Sequence, residues 1–256
     1  MDKKQRWIMF ITIDVVALVL IGFLAYNFYF KEKTDSPSSD PLPDFSIFEN
    51  FGNNGEEIEN LVRGKLRTEK QDWFSWWNKV TPYLSFDKFN LETVNKLAPS
   101  EKTSYTGNVV DDAIRREKNV YAKSPNQKML ADPLVGIVLT KENNKVVGGF
   151  DVDSSLAIID LEKDTYEQVL TCGTPCGFDD AVWLDNSKVL VFGYQILFRA
   201  TDNPDLDSDY TPALWVVDLE NRAVHQYVGP RISKAEYLKN NRTIYLTKRY
   251  GGITFE

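Results

Sequence analysis

The chain has 256 residues, 43% hydrophobic and 26% charged, enough to bury the core of one or two globular domains. Its formal charge of -7 and pI near 5.0 exclude the basic surface of a general nucleic-acid binder. The charge is uneven: Asp179 to Glu220 carries nine acids against two bases, and Asn221 to Glu256 carries seven bases against two acids.

Residues 7–30, WIMFITIDVVALVLIGFLAYNFYF, form a 24-residue apolar run interrupted only by Asp14. As a helix it spans roughly 36 Å, more than the ~30 Å hydrocarbon core, so it predicts a transmembrane helix that crosses with some tilt. Lys3, Lys4 and Arg6 precede the run, which places the N-terminus in the cytoplasm and everything after Phe30 outside it. A cleaved signal peptide has a shorter apolar core and small residues at its end; here the run ends in AYNFYF, which favours an uncleaved signal anchor. Residues 1–30 therefore read as a cytoplasmic tip and anchor in the bilayer. Residues 31–54, opening with KEKTDSPSSDPLPD, read as a flexible tether.

Residues 55–103 form the next region. Ile58, Leu61, Val62, Leu66, Trp73, Trp76, Trp77 and Val80 recur at helical spacing, predicting a helix from Glu56 towards Pro82. A second helix is expected over Phe89–Leu97, before Pro99. Trp73, Trp76, Trp77 and Val80 share one stripe, which predicts packing against the following domain rather than a sugar-stacking platform or a membrane-surface contact.

From 104 to 256 the pattern turns alternating and β-branched: PLVGIVLT, KVVGGFDV, SLAIIDL, AVWLD, KVLVFGYQILF, ALWVVDL, AEYL, TIYLTK and others read as short strands. A weak repeat runs through them. AVWLDNSKVLVF (181–192) matches AEYLKNNRTIYL (235–246), and VYAKSPNQKML (120–130) is a degraded copy; SLAIIDLEKDTYEQVL (155–170) matches ALWVVDLENRAVHQYV (213–228).

Trp183, Leu184, Asp185, Asn186, Ser187 and Lys188, with Leu214, Trp215, Val216, Asp218 and Leu219, resemble the paired hairpins of TolB and WD40-like β-propeller blades. The resemblance covers residues 120–256 and implies a mainly β fold of propeller-like antiparallel hairpins. A closed propeller needs 4–8 blades of about 40–50 residues, and this segment holds too few to close a ring. Either the domain is an open stack whose edges are covered by the helices of 55–97, or another chain completes the blades, making it a homo-oligomer.

Cys172 and Cys176, the only cysteines, flank Gly-Thr-Pro. Outside the cytoplasm such a pair reads as a local disulfide staple. Neither C-x-x-C redox spacing nor a zinc ligand set fits, since the chain has one histidine and no third cysteine. That histidine, His225, sits in NRAVHQYVG with no nucleophile motif beside it, and reads as a strand residue. Asp179 and Asp180, expected in a glycine-flanked loop after the staple, are the acids most worth testing for chemistry or partner contact. Asp205, Asp207 and Asp209 in TDNPDLDSDY have the D-x-D-x-D spacing of calcium loops. Tyr210 stands where such loops place glycine and Val216 where they place glutamate, so a solvated acidic loop is the competing reading.

No catalytic motif is visible, and whether the chain is an enzyme stays open. Taken together, the sequence predicts a single-pass, extracytoplasmic interaction or scaffold module of the cell envelope whose partner is a membrane or envelope protein, with no nucleic acid. The acidic 201–210 loop and the basic 221–256 segment are its expected contact surfaces. The alternative is an envelope polysaccharide or small-ligand binder, calcium-stabilised, that uses exposed Trp183 and Trp215.

Overall fold

A computed structural model describes residues 52–104, 109–143, 145–150, 153–173, 175–198, 208–240 and 242–255. The expected anchor at 7–30 and most of the tether lie outside the described residues. Among the described residues no helix is long and apolar enough to cross a membrane. The compact unit Asn53–Glu256 holds every described residue but Gly52.

Helix α1 (Gly52–Thr68) buries Ile58, Val62 and Leu66, the i, i+4, i+8 stripe read from the sequence, and places Lys65 and Arg67 at its negative end. It stops short of the predicted length. Lys70 takes a left-handed φ of 63°, and the chain restarts as α2 (Gln71–Trp77). Its side chain explains the break, because Lys70 Nζ donates to Asp180 Oδ2 at 2.6 Å, a tertiary bond that a continuous helix pattern does not anticipate. The redirected α2 buries Trp73, Trp76 and Trp77 of the predicted stripe and also Phe74, whereas Val80 lies beyond its end and is half-buried. Asn78 then closes the loop around Pro82, accepting from the Leu84 N–H at 2.6 Å.

The helix expected over 89–97 is instead strand β1 (Asn90–Lys96), paired antiparallel with β12 (Ala223–Val228) from Asn90↔Val228 to Lys96↔Ala223. Short apolar runs are ambiguous in period, and an available strand edge decides the outcome.

The fold is mainly β, with antiparallel sheets and no closed barrel. Its two larger sheets share one plan. In the first, β3 (Ala122–Lys123), β4 (Met129–Asp132), β7 (Ser154–Asp160) and β8 (Thr165–Cys172) form a meander, and β2 (Lys102–Ser104) lies along β8. In the second, β9 (Cys176–Trp183), β10 (Lys188–Phe198), β11 (Ser208–Asp218) and β12 form the meander, and β1 lies along β12. The hairpin of β5 (Ile137–Glu142) and β6 (Lys145–Phe150) is inserted between β4 and β7, and β14 (Ile253–Phe255) joins it parallel to β6.

The repeated Asp-Leu-Glu turns are made by the same chemistry. Asp160 Oδ1 accepts from the N–H groups of Glu162 and Lys163, and Asp218 Oδ1 accepts from those of Glu220 and Asn221. The fourth residue after each Asp, Asp164 or Arg222, has a positive φ of 52° or 51°. The turns after β3 and β9 are joined, the Asn126 N–H donating to Asn186 Oδ1 at 2.9 Å.

The copy at 235–246 breaks the pattern. It forms α4 (Lys234–Lys239) and α5 (Arg242–Arg249) after the two-residue strand β13 (Ile232–Ser233), so the expected strands AEYL and TIYLTK are helical. Ser233 caps α4, its Oγ accepting from the Glu236 N–H at 3.3 Å. The Ser-Lys-Ala-Glu capping box in the sequence carried that signal. With α3 (Val109–Glu117), the segment 104–256 is thus not all-β.

The second sheet is buried on both faces. One face packs on the first sheet through Phe178, Trp183, Val191 and Trp215 against Ala131, Leu156 and Ile158. The other, through Leu190, Phe192, Leu214 and Tyr227, meets Ile58, Val62, Trp73 and Trp77 of α1 and α2. Every residue of β9 and β11 is buried, although both strands carry polar residues, among them Asp179 and Asp180 in β9.

Candidate functional site

Asp179 and Asp180 lie not in a loop but within β9, buried at 0% and 1% exposure. Neighbours on a regular strand face opposite ways, yet both carboxylates bond to the helices. A bulge reconciles this: Phe178 pairs with Gly193 and Asp180 with Phe192, leaving Asp179 as the extra residue. Gly193 permits the bulge, because a Cβ there would fall on the Gly177 carbonyl and within 3.1 Å of Phe178 Cα.

Asp179 accepts from Arg242 Nε at 2.6 Å and from Trp73 Nε1 at 3.1 Å, and its carbonyl accepts from the Tyr250 hydroxyl at 2.8 Å. Arg242 also donates to the Phe178 carbonyl at 2.7 Å and stacks over Tyr194. Asp180 Oδ2 accepts from Lys70 Nζ at 2.6 Å and from Arg249 Nε at 2.5 Å. Arg242 and Arg249 are seven residues apart on α5, two helical turns, and so share the face turned to the sheet.

Burial pushes the Asp179 carboxyl up from its ordinary range, further than Arg242 and Trp73 pull it down. Burial works to lower Arg242 and Arg249, but the facing carboxylates outweigh it and hold both guanidinium groups firmly charged. The cluster is a buried ionic clamp that docks α2 and α5 on β9. Two of the seven bases of 221–256, Arg242 and Arg249, are therefore engaged internally, within a segment that composition suggested as a contact surface.

A comparable clamp holds α3. Arg115 donates to Asp111 at 2.6 Å, to Asp132 at 2.8 Å and to the carbonyls of Leu134 and Ile137. Burial raises the Asp132 carboxyl, with Arg115 opposing.

Trp183 and Trp215 are not exposed platforms; they sit at 1% and 5% exposure between the two sheets. Trp183 Nε1 donates to the Ala122 carbonyl at 2.9 Å, and Trp215 packs edge-on against Phe178. Alternating strands place every second side chain inward on both faces of a doubly covered sheet, which leaves them no outside. His225 is likewise buried in β12, between Val94 and Val216, and burial lowers its pKa. Cys172 and Cys176 end β8 and begin β9 with Cα atoms 5.8 Å apart and sulfurs within disulfide-bonding distance. Asp205 and Asp207 lie outside the described residues, whereas Asp209 is in β11, opposite Leu197 and Ser233.

Outside the clamp, α2 and α5 leave a cleft of about 590 Å³. Trp76 and Tyr245 form its aromatic wall, Lys70, Lys79, Lys248 and Arg249 supply cations, and Glu69 and Asp72 supply acids. In the sequence Trp76 belongs to a stripe that predicts packing and Tyr245 to a segment that reads as strand, so the cleft they line is not legible there. A second cleft of about 290 Å³ opens on the other side of α2, near Phe74, Asn78 and Phe86.

No family model, curated protein or solved structure matches the chain.

Proposed function

We propose that the chain is a single-pass membrane-anchored module, N-terminus in the cytoplasm, whose extracytoplasmic β domain holds a protein of the membrane or cell envelope. The observation that carries this reading is the pair of sheets with one strand order and one turn chemistry. It supports their being two blades of propeller type, stacked face to face, with α1, α2 and the helical tail occupying the side where a further blade would pack. Blade arrays serve mainly as rigid supports for surfaces and loops.

The contact surface on this reading is the outer side of α4 and α5, where Leu238 and Ile244 are exposed beside Lys239 and Lys248. Apolar anchors beside cations suit a partner that presents an apolar residue within an acidic surface. Asp179 and Asp180 belong to the architecture, and the glycan alternative loses Trp183 and Trp215 to the core.

A photo-crosslinking residue at Leu238 of the full chain, irradiated in intact cells of the native source, tests the proposal. Capture of one defined envelope protein, lost when the crosslinker is moved to buried Tyr237, is the expected result. Self-crosslinks alone would replace the partner with a second copy of this chain.

A further inference from the structure

We propose that β1 is the pairing edge of a two-fold dimer, on which β1 of a second copy of this chain lies antiparallel with Val94 opposite Val94. Three observations lead there. The first is an open edge. Among the described residues β1 pairs only with β12 and is the outermost strand on one side of the six-stranded sheet. At the other side β9 is buried along its whole length. The edge strands β2, β3 and β14 are only three, two and three residues long, and β5 is met by α3, its Leu139 N–H donating to Asp111 at 3.2 Å. By contrast β1 runs for seven residues with Glu92, Asn95 and Lys96 exposed, and an unpaired edge of that length is a template for another strand.

The second observation is the direction of its backbone groups. The Leu97 N–H donates to the Arg222 carbonyl at 2.8 Å. Alternate residues of an antiparallel strand turn to the same neighbour, so Thr93 and Asn95 face β12 as Leu97 does, whereas Val94 and Lys96 turn their N–H and C=O groups to the open side. Glu92 has no opposite residue on β12, because the ladder skips it between Leu91 and Thr93.

The third is a self-complementary sequence. In Glu-Thr-Val-Asn-Lys (92–96), a two-fold axis at Val94 sets each Glu92 opposite a Lys96 and each Thr93 opposite an Asn95. Neither Glu92 nor Lys96 has an ion pair among the described residues. Opposite charges facing across a strand pair attract, and like charges repel. A lysine on an edge deters a stray strand; a second copy in this register supplies it with a carboxylate. Such an isologous contact uses the same patch on both molecules and closes at two.

The full chain carrying Val94→Cys, reconstituted in phosphatidylcholine vesicles and mildly oxidised, tests the proposal. Facing Cα atoms in such a pair lie about 5.5 Å apart, within disulfide range. A cross-linked dimer is expected from Val94→Cys, and none from the unsubstituted chain or from Asn90→Cys, whose symmetry mate lies roughly 27 Å away along the strands. In the Val94→Cys background, Glu92→Lys or Lys96→Glu alone sets like charges opposite each other and lowers the dimer yield about tenfold. Both side chains are exposed, so the melting temperature holds. Mixing the two single variants restores a mixed dimer, since each supplies the charge that the other lacks. Trapping that is absent at Val94, equal at Asn90 or indifferent to either charge variant overturns the proposal, as does a mixture that yields no more than the single variants. The outcome is independent of the partner reading, since the vesicles contain no envelope protein and Leu238 lies on α4.

Discussion

Replacing Arg242 by methionine removes the cation from the buried clamp while keeping an unbranched side chain of similar length. Arg242 is 14% exposed and Asp179 0%, so solvent cannot take over the lost interaction. Removing one partner of a buried pair costs about 3–5 kcal/mol, mostly because the remaining charge is left buried. For a unit of this size each kcal/mol shifts the midpoint by about 2–4 °C, so a fall of roughly 10 °C is expected at pH 7, read by calorimetry on the full chain. Asp179→Asn in the same background should restore part of the loss, with a coupling of about 1–3 kcal/mol in the double-mutant cycle. The pH dependence has a definite sign. Without Arg242 the Asp179 carboxyl rises further above the 3.8 of an unfolded aspartate. The folded variant then retains a proton that the unfolded chain releases, so its deficit shrinks as pH falls towards about 4 and grows as pH rises. A midpoint within about 3 °C of the parent, or strictly additive single substitutions, would refute the clamp.

Gly193→Ala forces a methyl into the Gly177 carbonyl and should destabilise by about 1–3 kcal/mol or more, with urea midpoints as the readout; a neutral result would mean the bulge has other room. His225, its pKa lowered by burial, binds a proton more readily unfolded than folded. Stability should therefore be full above pH of about 6.5 and decline as pH falls through the depressed folded value, a slope that His225→Phe flattens in thermal melts. Replacing both Cys172 and Cys176 by serine should cost no more than about 2 kcal/mol, since the bridge closes a very short loop; a larger loss would show that it also orders β8 against β9.

How legible the molecule was depends on whether local chemistry or a distant partner decides each feature. The helical stripe of Ile58, Val62 and Leu66, the buried run of tryptophans and the Asp-capped turns after Ile159 and Val217 follow from spacing and residue type, which act within a few residues. The proximity of Cys172 and Cys176 follows equally from their separation. The capping box at Ser233 was also present in the sequence, but repeat similarity pointed to strands there, and the local cap prevailed.

Sequence by itself determined the β-rich composition, the repeat and the faces that must be covered, because hydrophobic period and turn chemistry are local properties. Tertiary structure alone decided that Asn90–Lys96 is a strand, that Lys70 breaks a helix, and that Asp179 and Asp180 meet Arg242 and Arg249. Those outcomes depend on an edge, a bulge and ion pairs between residues more than 60 positions apart, and no window along the chain contains both members of such a pair. The same distance conceals the cleft, whose walls come from α2 and from α5 and become neighbours only when the clamp closes.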